Sequence, residues 1–282
     1  MVTITEQESV QIEAANASDR TPVVFIHGLW LLASSWEAWA EAFEAAGYAS
    51  VCVSWPGDPA TVEEARRDPR ALAGKGVGDV ADHVAEVIGA LERKPAIVGH
   101  SFGGLLAQIL AARGLAAATV AINPAPFRGI LAMPLAAIRS TFPVLANPAN
   151  RGRAVTLTFD QFRYSWANGP SHAEARRIYE RFHVAAPGKP IFQAAVENLN
   201  PASELRVDVR APARGPLLIF TGGIDHAVPP AMSRAAFKKQ RRNPSSTEHV
   251  ELPDRGHSLT IDDGWHEVSD ATLEFLHRSL PA

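Results

Sequence analysis

Cysteine is almost missing from this 282-residue chain: Cys52 stands alone. One thiol cannot close an internal disulfide or build a multi-cysteine zinc site. Lysine is scarce, with 5 against 22 arginines, a bias that base composition explains more simply than phosphate recognition does. An excess of one charge sign is also lacking, since 27 Lys+Arg face 30 Asp+Glu for a formal charge of −3. No strong field is available to hold nucleic acid or an anionic membrane. Long apolar runs are absent as well. The longest, Gly103 to Ile122, is interrupted by Gln108 and Arg113 and is too polar to span a bilayer. The opening residues Met1 to Glu8 have neither a basic nor an apolar leader region, so a cytoplasmic location is expected. What is present is ordinary globular usage, 46% hydrophobic and 20% charged, which excludes a disordered chain.

Short β-rich runs alternate with helical patterns. Ser9 to Ala14 alternates like a strand, and Pro22 to Ile26 is a continuous apolar run that suits a buried parallel strand. Ser34 to Gly47 has helical periodicity, with Trp36, Trp39, Ala40 and Phe43 on one face and Gly47 placed for a C-cap. Strands are then expected at Ala49–Ser54, Pro95–Gly99, Ala117–Ile122, Pro216–Thr221 and Thr247–Leu252, and helices at Asp79–Leu91, Phe102–Arg113, Ala231–Gln240 and Asp263–Leu280. Such alternation predicts an α/β fold, a mostly parallel central sheet with helices on both faces. The rhythm breaks between Phe127 and Leu205, which shows no clear strand and reads as helices joined by loops. The division is therefore a core from 1–126 and 206–282 with 127–205 inserted over one end of the sheet. The basic run Lys238-Lys239-Gln240-Arg241-Arg242 reads as a solvated helix end.

The chemical signal is Gly99-His100-Ser101-Phe102-Gly103, followed by Gly104, between an expected strand and an expected helix. A serine on a tight strand-to-helix turn is strained, and its neighbours two positions away must lack side chains. The turn lifts the Ser101 hydroxyl clear of the sheet. It also sets the Phe102 N–H at a helix N-terminus, which favours an oxyanion. A hydroxyl needs a base to become a nucleophile. Of ten histidines, His257 lies in a loop after the last expected strand, where sheets of this kind place their chemistry. His100 flanks Ser101 and reads as packing or hydrogen bonding. His226 neighbours the candidate acid and is a candidate pocket residue. His83, His172, His183, His249, His266 and His277 read as surface or packing residues. The base in turn needs an acid to fix its tautomer. Asp225 follows an expected strand through Gly222-Gly223-Ile224 and is preferred over Asp208 and over Asp254, Asp262 and Asp263, which have exposed-looking loop context.

The order Ser101, Asp225, His257, with His27-Gly28-Leu29-Trp30 after the first buried strand, Gly222 to Pro229 and Gly256-His257, resembles the α/β-hydrolase fold family along nearly the whole chain. That resemblance implies a catalytic triad of Ser101, Asp225 and His257, and an oxyanion hole built from the Leu29 and Phe102 amides, with His27 organising the loop. It implies that 127–205 is a helical cap. A Ser nucleophile disfavours the family's haloalkane dehalogenases and epoxide hydrolases, which attack with a carboxylate. His-Gly-Leu-Trp departs from the His-Gly-Gly-Gly loop of one esterase branch and implies a narrower hole.

The inserted segment holds Phe127, Phe142, Phe159, Phe162, Tyr164, Trp166, Tyr179, Phe182 and Phe192, nine of 21 aromatics in 79 residues. This favours an apolar acyl or alcohol group over a sugar or nucleotide. Trp30, His226, Phe127 and Trp166 are the candidate substrate contacts, and Leu131 and Met133 could extend the wall. Cys52 reads as a small core residue. No H-E-x-x-H spacing or glycine-rich phosphate loop occurs, so neither metal nor cofactor is expected. The reading is a serine esterase acting on a small-molecule apolar ester. Thioesterase, lactonase, amidase, carbon–carbon hydrolase and perhydrolase chemistry use the same side chains, and a non-catalytic small-molecule receptor is the alternative of a different kind.

Overall fold

The computed structural model describes residues 4–280. Met1–Thr3 and the last two residues, read above as part of the leader-free opening and the core, lie outside that range. Six strands form one sheet in the order β2-β1-β3-β4-β7-β8: β1 Pro22–Ile26, β2 Ala49–Val53, β3 Ala96–His100, β4 Thr119–Ile122, β7 Leu217–Gly222 and β8 Thr247–Leu252. Every neighbouring pair is parallel. The first five strands are fully buried, which is why apolar residues dominate them and β1 is an uninterrupted apolar run.

The helices are α1 Glu6–Asn16, α2 Glu37–Ala45, α3 Val62–Arg67, α4 Val77–Gly89 and α5 Phe102–Ala112 before the insertion, and α10 Pro230–Gln240 and α11 Trp265–Ser279 after it. Between β4 and β7 the chain forms α6 Leu135–Leu145, α7 Phe159–Ser165, α8 His172–Phe182 and α9 Lys189–Val196. One face of the sheet packs against α1, α4 and α5 through Ile12, Val80, Val84, Leu106 and Leu110, and this core runs on into the inserted segment. The other face is covered by α2 and α11. There Phe25 meets Trp36 at 5.2 Å and Phe43 at 5.1 Å, and Trp39 meets Trp265 at 5.9 Å. Aromatic pairs of this geometry add about 0.5–1.5 kcal/mol each beyond their buried area. Gly47 closes α2 at φ +91°, as its position after the helical pattern predicts.

Two expectations are corrected. Ser9 to Ala14 is not a strand but part of α1. Thr5 caps that helix, accepting from Glu8 N–H at 3.2 Å while the Glu8 carboxylate takes the Thr5 N–H at 2.8 Å. This Thr-x-x-Glu box outweighs a short alternating run. Glu8 is fully buried and also pairs with His83 Nε2 at 3.0 Å. Burial alone would raise the Glu8 pKa, but its bonds to His83 and Thr5 hold it below the usual value. The inserted segment also contains a small ladder, β5 Ala154–Val155 against β6 Ala186–Pro187. Two-residue strands leave too little pattern to read.

Candidate active site

The C-terminal ends of the parallel strands meet at one rim. At the end of β3, Ser101 has φ 57° and ψ −119°, a left-handed conformation that costs a non-glycine residue of order 1–3 kcal/mol. The glycines around it are spatial necessities. A Cβ on Gly99 would lie 2.1 Å from Gly103 O, and one on Gly103 would lie 2.0 Å from Ile26 O. The turn is tied down by Ser101 N–H to Ile122 O and by Ala125 N–H to Ser101 O, both 2.9 Å.

Asp225 and His257, 32 residues apart, come together through the ends of β7 and β8. His257 Nδ1–H donates to Asp225 Oδ2 at 2.6 Å, and both side chains are buried. Asp225 Oδ1 accepts the N–H groups of Ala227 at 2.7 Å and Val228 at 2.9 Å. The carboxylate is thereby held in one orientation. His257 Nε2, on the far side of the ring, has no hydrogen-bond partner. Ser101 and His257 line the same cavity, but no hydrogen bond joins them. Nucleophile–base contacts of this kind often tighten only when substrate is bound.

The Leu29 and Phe102 N–H groups make no hydrogen bond within the described residues. The loop carrying Leu29 is fixed by His27, whose Nδ1–H donates to Gly28 O at 2.8 Å and whose Nε2 faces Asp58 Oδ2 at 3.2 Å. Gly28 sits against the nucleophile, because a Cβ there would lie 2.8 Å from Ser101 Cβ. His100 is buried beneath the site and its Nε2–H donates to His257 O at 2.8 Å. Burial, reinforced by the neighbouring His257, lowers its pKa far below the ordinary value, so it stays neutral and braces the base without competing for protons.

Sequence reasoning missed two supports. Asn123, at φ 42°, accepts Gly222 N–H at 2.6 Å and donates to Gly256 O at 3.0 Å, joining the two loops that carry Asp225 and His257. Its signal was weak, a lone Asn after a strand. Trp166, expected only as a substrate contact, also stands edge-on to the His257 ring at 4.6 Å and to His100 at 5.0 Å. It reaches them from the segment between β4 and β7, and Asn168 nearby donates to Ile224 O at 2.5 Å.

A cavity of about 270 Å³ opens at this rim. Its wall is mostly apolar, including Trp30, Ile130, Met133, Ile138, Trp166 and Met232. Of the four candidate substrate contacts, Trp30 and Trp166 are on the wall and two are not. Phe127 is buried in the core. His226 turns away, with Nδ1–H to Tyr164 O at 2.9 Å and its ring against Tyr164. Met133 lines the cavity, whereas Leu131 is 78% exposed. Trp166 is the one aromatic of the inserted segment that reaches the wall; Phe159, Phe162 and Tyr179 pack against one another instead, and Phe142 is 63% exposed. Asp262, expected in an exposed loop, is buried and bonded to Ser258 and Arg255. A further cavity residue, Glu197, went unread because nothing in its sequence context marks it. Among the described residues no three His, Cys, Asp or Glu side chains gather as metal ligands.

The sequence profile of the alpha/beta hydrolase family matches residues 23–271. Similar solved structures include a monoacylglycerol lipase from Paleococcus ferrophilus, with TM-score 0.65, 21% identity, and coverage of 92% of this chain and 95% of the other. A pyrethroid hydrolase from Sphingobium faniae gives 0.62, 18%, 91% and 97%. A methylesterase from Arabidopsis gives 0.62, 13%, 92% and 99%. At these identities the likeness establishes the fold. No curated protein matches the chain.

Proposed function

Because this chain belongs to the alpha/beta hydrolase family, we propose that it is a serine hydrolase cleaving carboxylic esters of small to medium size, with an apolar acyl or alcohol group. The observation that carries the reading is the buried His257–Asp225 bond, 2.6 Å long, with the opposite ring nitrogen Nε2 unpartnered and His257 lining the same cavity as the strained Ser101.

In this mechanism Ser101 Oγ attacks the ester carbonyl carbon as its proton passes to His257 Nε2. The Leu29 and Phe102 N–H groups stabilise the tetrahedral oxyanion, each worth about 10²–10³ in rate. The C–O bond to the alcohol breaks as His257 returns the proton to the leaving oxygen. Water then adds to the acyl-enzyme, giving its proton to His257. Collapse of the second intermediate releases the carboxylic acid and restores the Ser101 hydroxyl. Asp225 holds the imidazole and stabilises its protonated form. The segment 127–205 acts as a cap that supplies most of the apolar wall and keeps bulk water from the acyl-enzyme.

Several observations support this choice. The wall is apolar, and the cavity is near the lower end of ligand-site volumes. Neighbours named as a lipase and a methylesterase fit the choice of bond. The test is turnover of p-nitrophenyl esters, thioesters and lactones by wild type and Ser101→Ala, with fluorophosphonate labelling. Wild type should hydrolyse esters best and label at Ser101, and Ser101→Ala should lose about 10⁶ in kcat. Ester turnover by a pure Ser101→Ala sample near the wild-type rate refutes the assignment.

A further inference from the structure

The apolar cavity contains a carboxyl group that the proposed mechanism does not use. Glu197, just beyond α9, lies on its wall and is only 3% exposed. Its Oε2 has no hydrogen-bond partner. The other polar side chains of the wall outside the Ser101–His257 pair are largely committed to backbone. Ser140 Oγ donates to His226 O at 2.8 Å, Thr141 Oγ1 to Ala137 O at 2.9 Å and Ser165 Oγ to Gln161 O at 2.8 Å. Trp30 Nε1 donates to Val155 O at 3.0 Å. Asn198 uses both ends of its amide, accepting Gly129 N–H and donating to Ile130 O. Outside the Ser101–His257 pair, Glu197 alone among the hydroxyl, carboxyl and amide side chains of the wall makes no hydrogen bond.

A buried polar atom without a partner costs free energy comparable to a lost hydrogen bond. Such an atom in a binding cavity is satisfied by the ligand. No Lys or Arg lines the cavity to hold the carboxyl ionised, and burial pushes its pKa up to about 8. At neutral pH the group is largely a neutral acid, which both donates and accepts. Its complement is therefore an uncharged group that can do the same.

We propose that Glu197 is a specificity-determining residue that hydrogen-bonds a hydroxyl carried on the otherwise apolar acyl chain of the ester. This inference rests on the ester-hydrolase reading and narrows its substrate class. A hydroxyl satisfies Glu197 and loses its own water in exchange, whereas a plain chain leaves the carboxyl unpaired.

The test compares p-nitrophenyl esters of ω-hydroxyacyl chains of graded length with the matched plain acyl and ω-aminoacyl esters. At the best-fitting length, kcat/KM of wild type should favour the hydroxylated ester over the plain one by about tenfold, the worth of one hydrogen bond to a buried partner. Glu197→Leu should bring that ratio to about one, and Glu197→Gln, which also donates and accepts, should keep most of it. Equal rates for the hydroxylated and plain esters at every length overturn the proposal. A preference for the amino ester that Glu197→Gln abolishes also overturns it, in favour of a cation site. If wild type hydrolyses no ester, the ester-hydrolase reading fails, and binding then decides the inference on its own. Linear alkanediols should raise the melting temperature of wild type more than the matched alkanols do, and Glu197→Leu should erase the difference; no difference in wild type refutes the site.

Discussion

Replacing Glu197 by Gln isolates the cost of a carboxylate kept out of water. Burial raises its pKa from 4.5 to about 8. The unfolded chain gives up that proton near 4.5, while the folded chain retains it until about 8. Between those values the folded state binds more protons than the unfolded state, so stability is greatest below the window and falls as pH rises through it. Each unit is worth about 1.4 kcal/mol, so the wild type gives up about 3 kcal/mol by pH 7 that the Gln variant keeps. A chain of this length unfolds with an entropy of about 0.6 kcal/mol/K, which converts that loss to about 5 °C in Tm. The assay is differential scanning calorimetry of both proteins. Near pH 5 the two should melt together, because neutral Glu and Gln are nearly isosteric. By neutral pH the variant should melt about 5 °C higher. A separation that stays constant between those conditions refutes the reasoning, because it would show that the native carboxyl does not hold its proton.

Three other perturbations test different parts of the argument. Asp225→Asn should keep the fold but reverse the proton pattern on His257, lowering kcat by about 10⁴ in an ester assay. Gly103→Ala places a Cβ 2.0 Å from Ile26 O; urea unfolding should show a loss of about 3 kcal/mol or more, since the contact is with backbone that cannot turn aside. Cys52 is buried and its thiol is pushed up to about 12, first by burial and then by Glu37 and Glu44. Iodoacetamide should therefore leave the native protein unmodified at pH near 8 and alkylate it once urea unfolds it; alkylation at equal rates in both states contradicts a buried Cys52.

The sheet was legible because parallel strands buried on both faces are dominated by apolar residues, as in Pro22–Ile26 and in Leu217–Phe220 of β7. The rim was legible because its turns demand glycine: Gly99 and Gly103 are dictated by contacts of about 2 Å. Pairing Asp225 with His257 followed from strand ends and needed no knowledge of distance. The cavity wall was not legible. Phe127, Phe142, Trp166 and Phe162 are alike as sequence, yet the first is in the core, the second is mostly in solvent, the third supports the imidazole and the fourth stacks behind it at 6.0 Å. Helices joined by loops can rotate any face inward, so composition records that apolar surface exists and not where it points. Glu197 was invisible for the same reason, because a glutamate near a helix end is ordinarily a solvated one.

The helix that looked like a strand has a role beyond its own stability. Strand β2 ends the sheet on one side, and a terminal strand presents backbone donors to any extended polypeptide that arrives. Here α1 reaches across with side chains in place of another strand: Gln11 Oε1 takes the Cys52 N–H at 2.9 Å, and Glu8 Oε1 takes the Ser54 N–H at 3.1 Å. The 11 residues of α1, none of them on the cavity wall, thus blunt a template for self-association. Clipping them away would release the very donors through which one molecule could begin to zip onto the next.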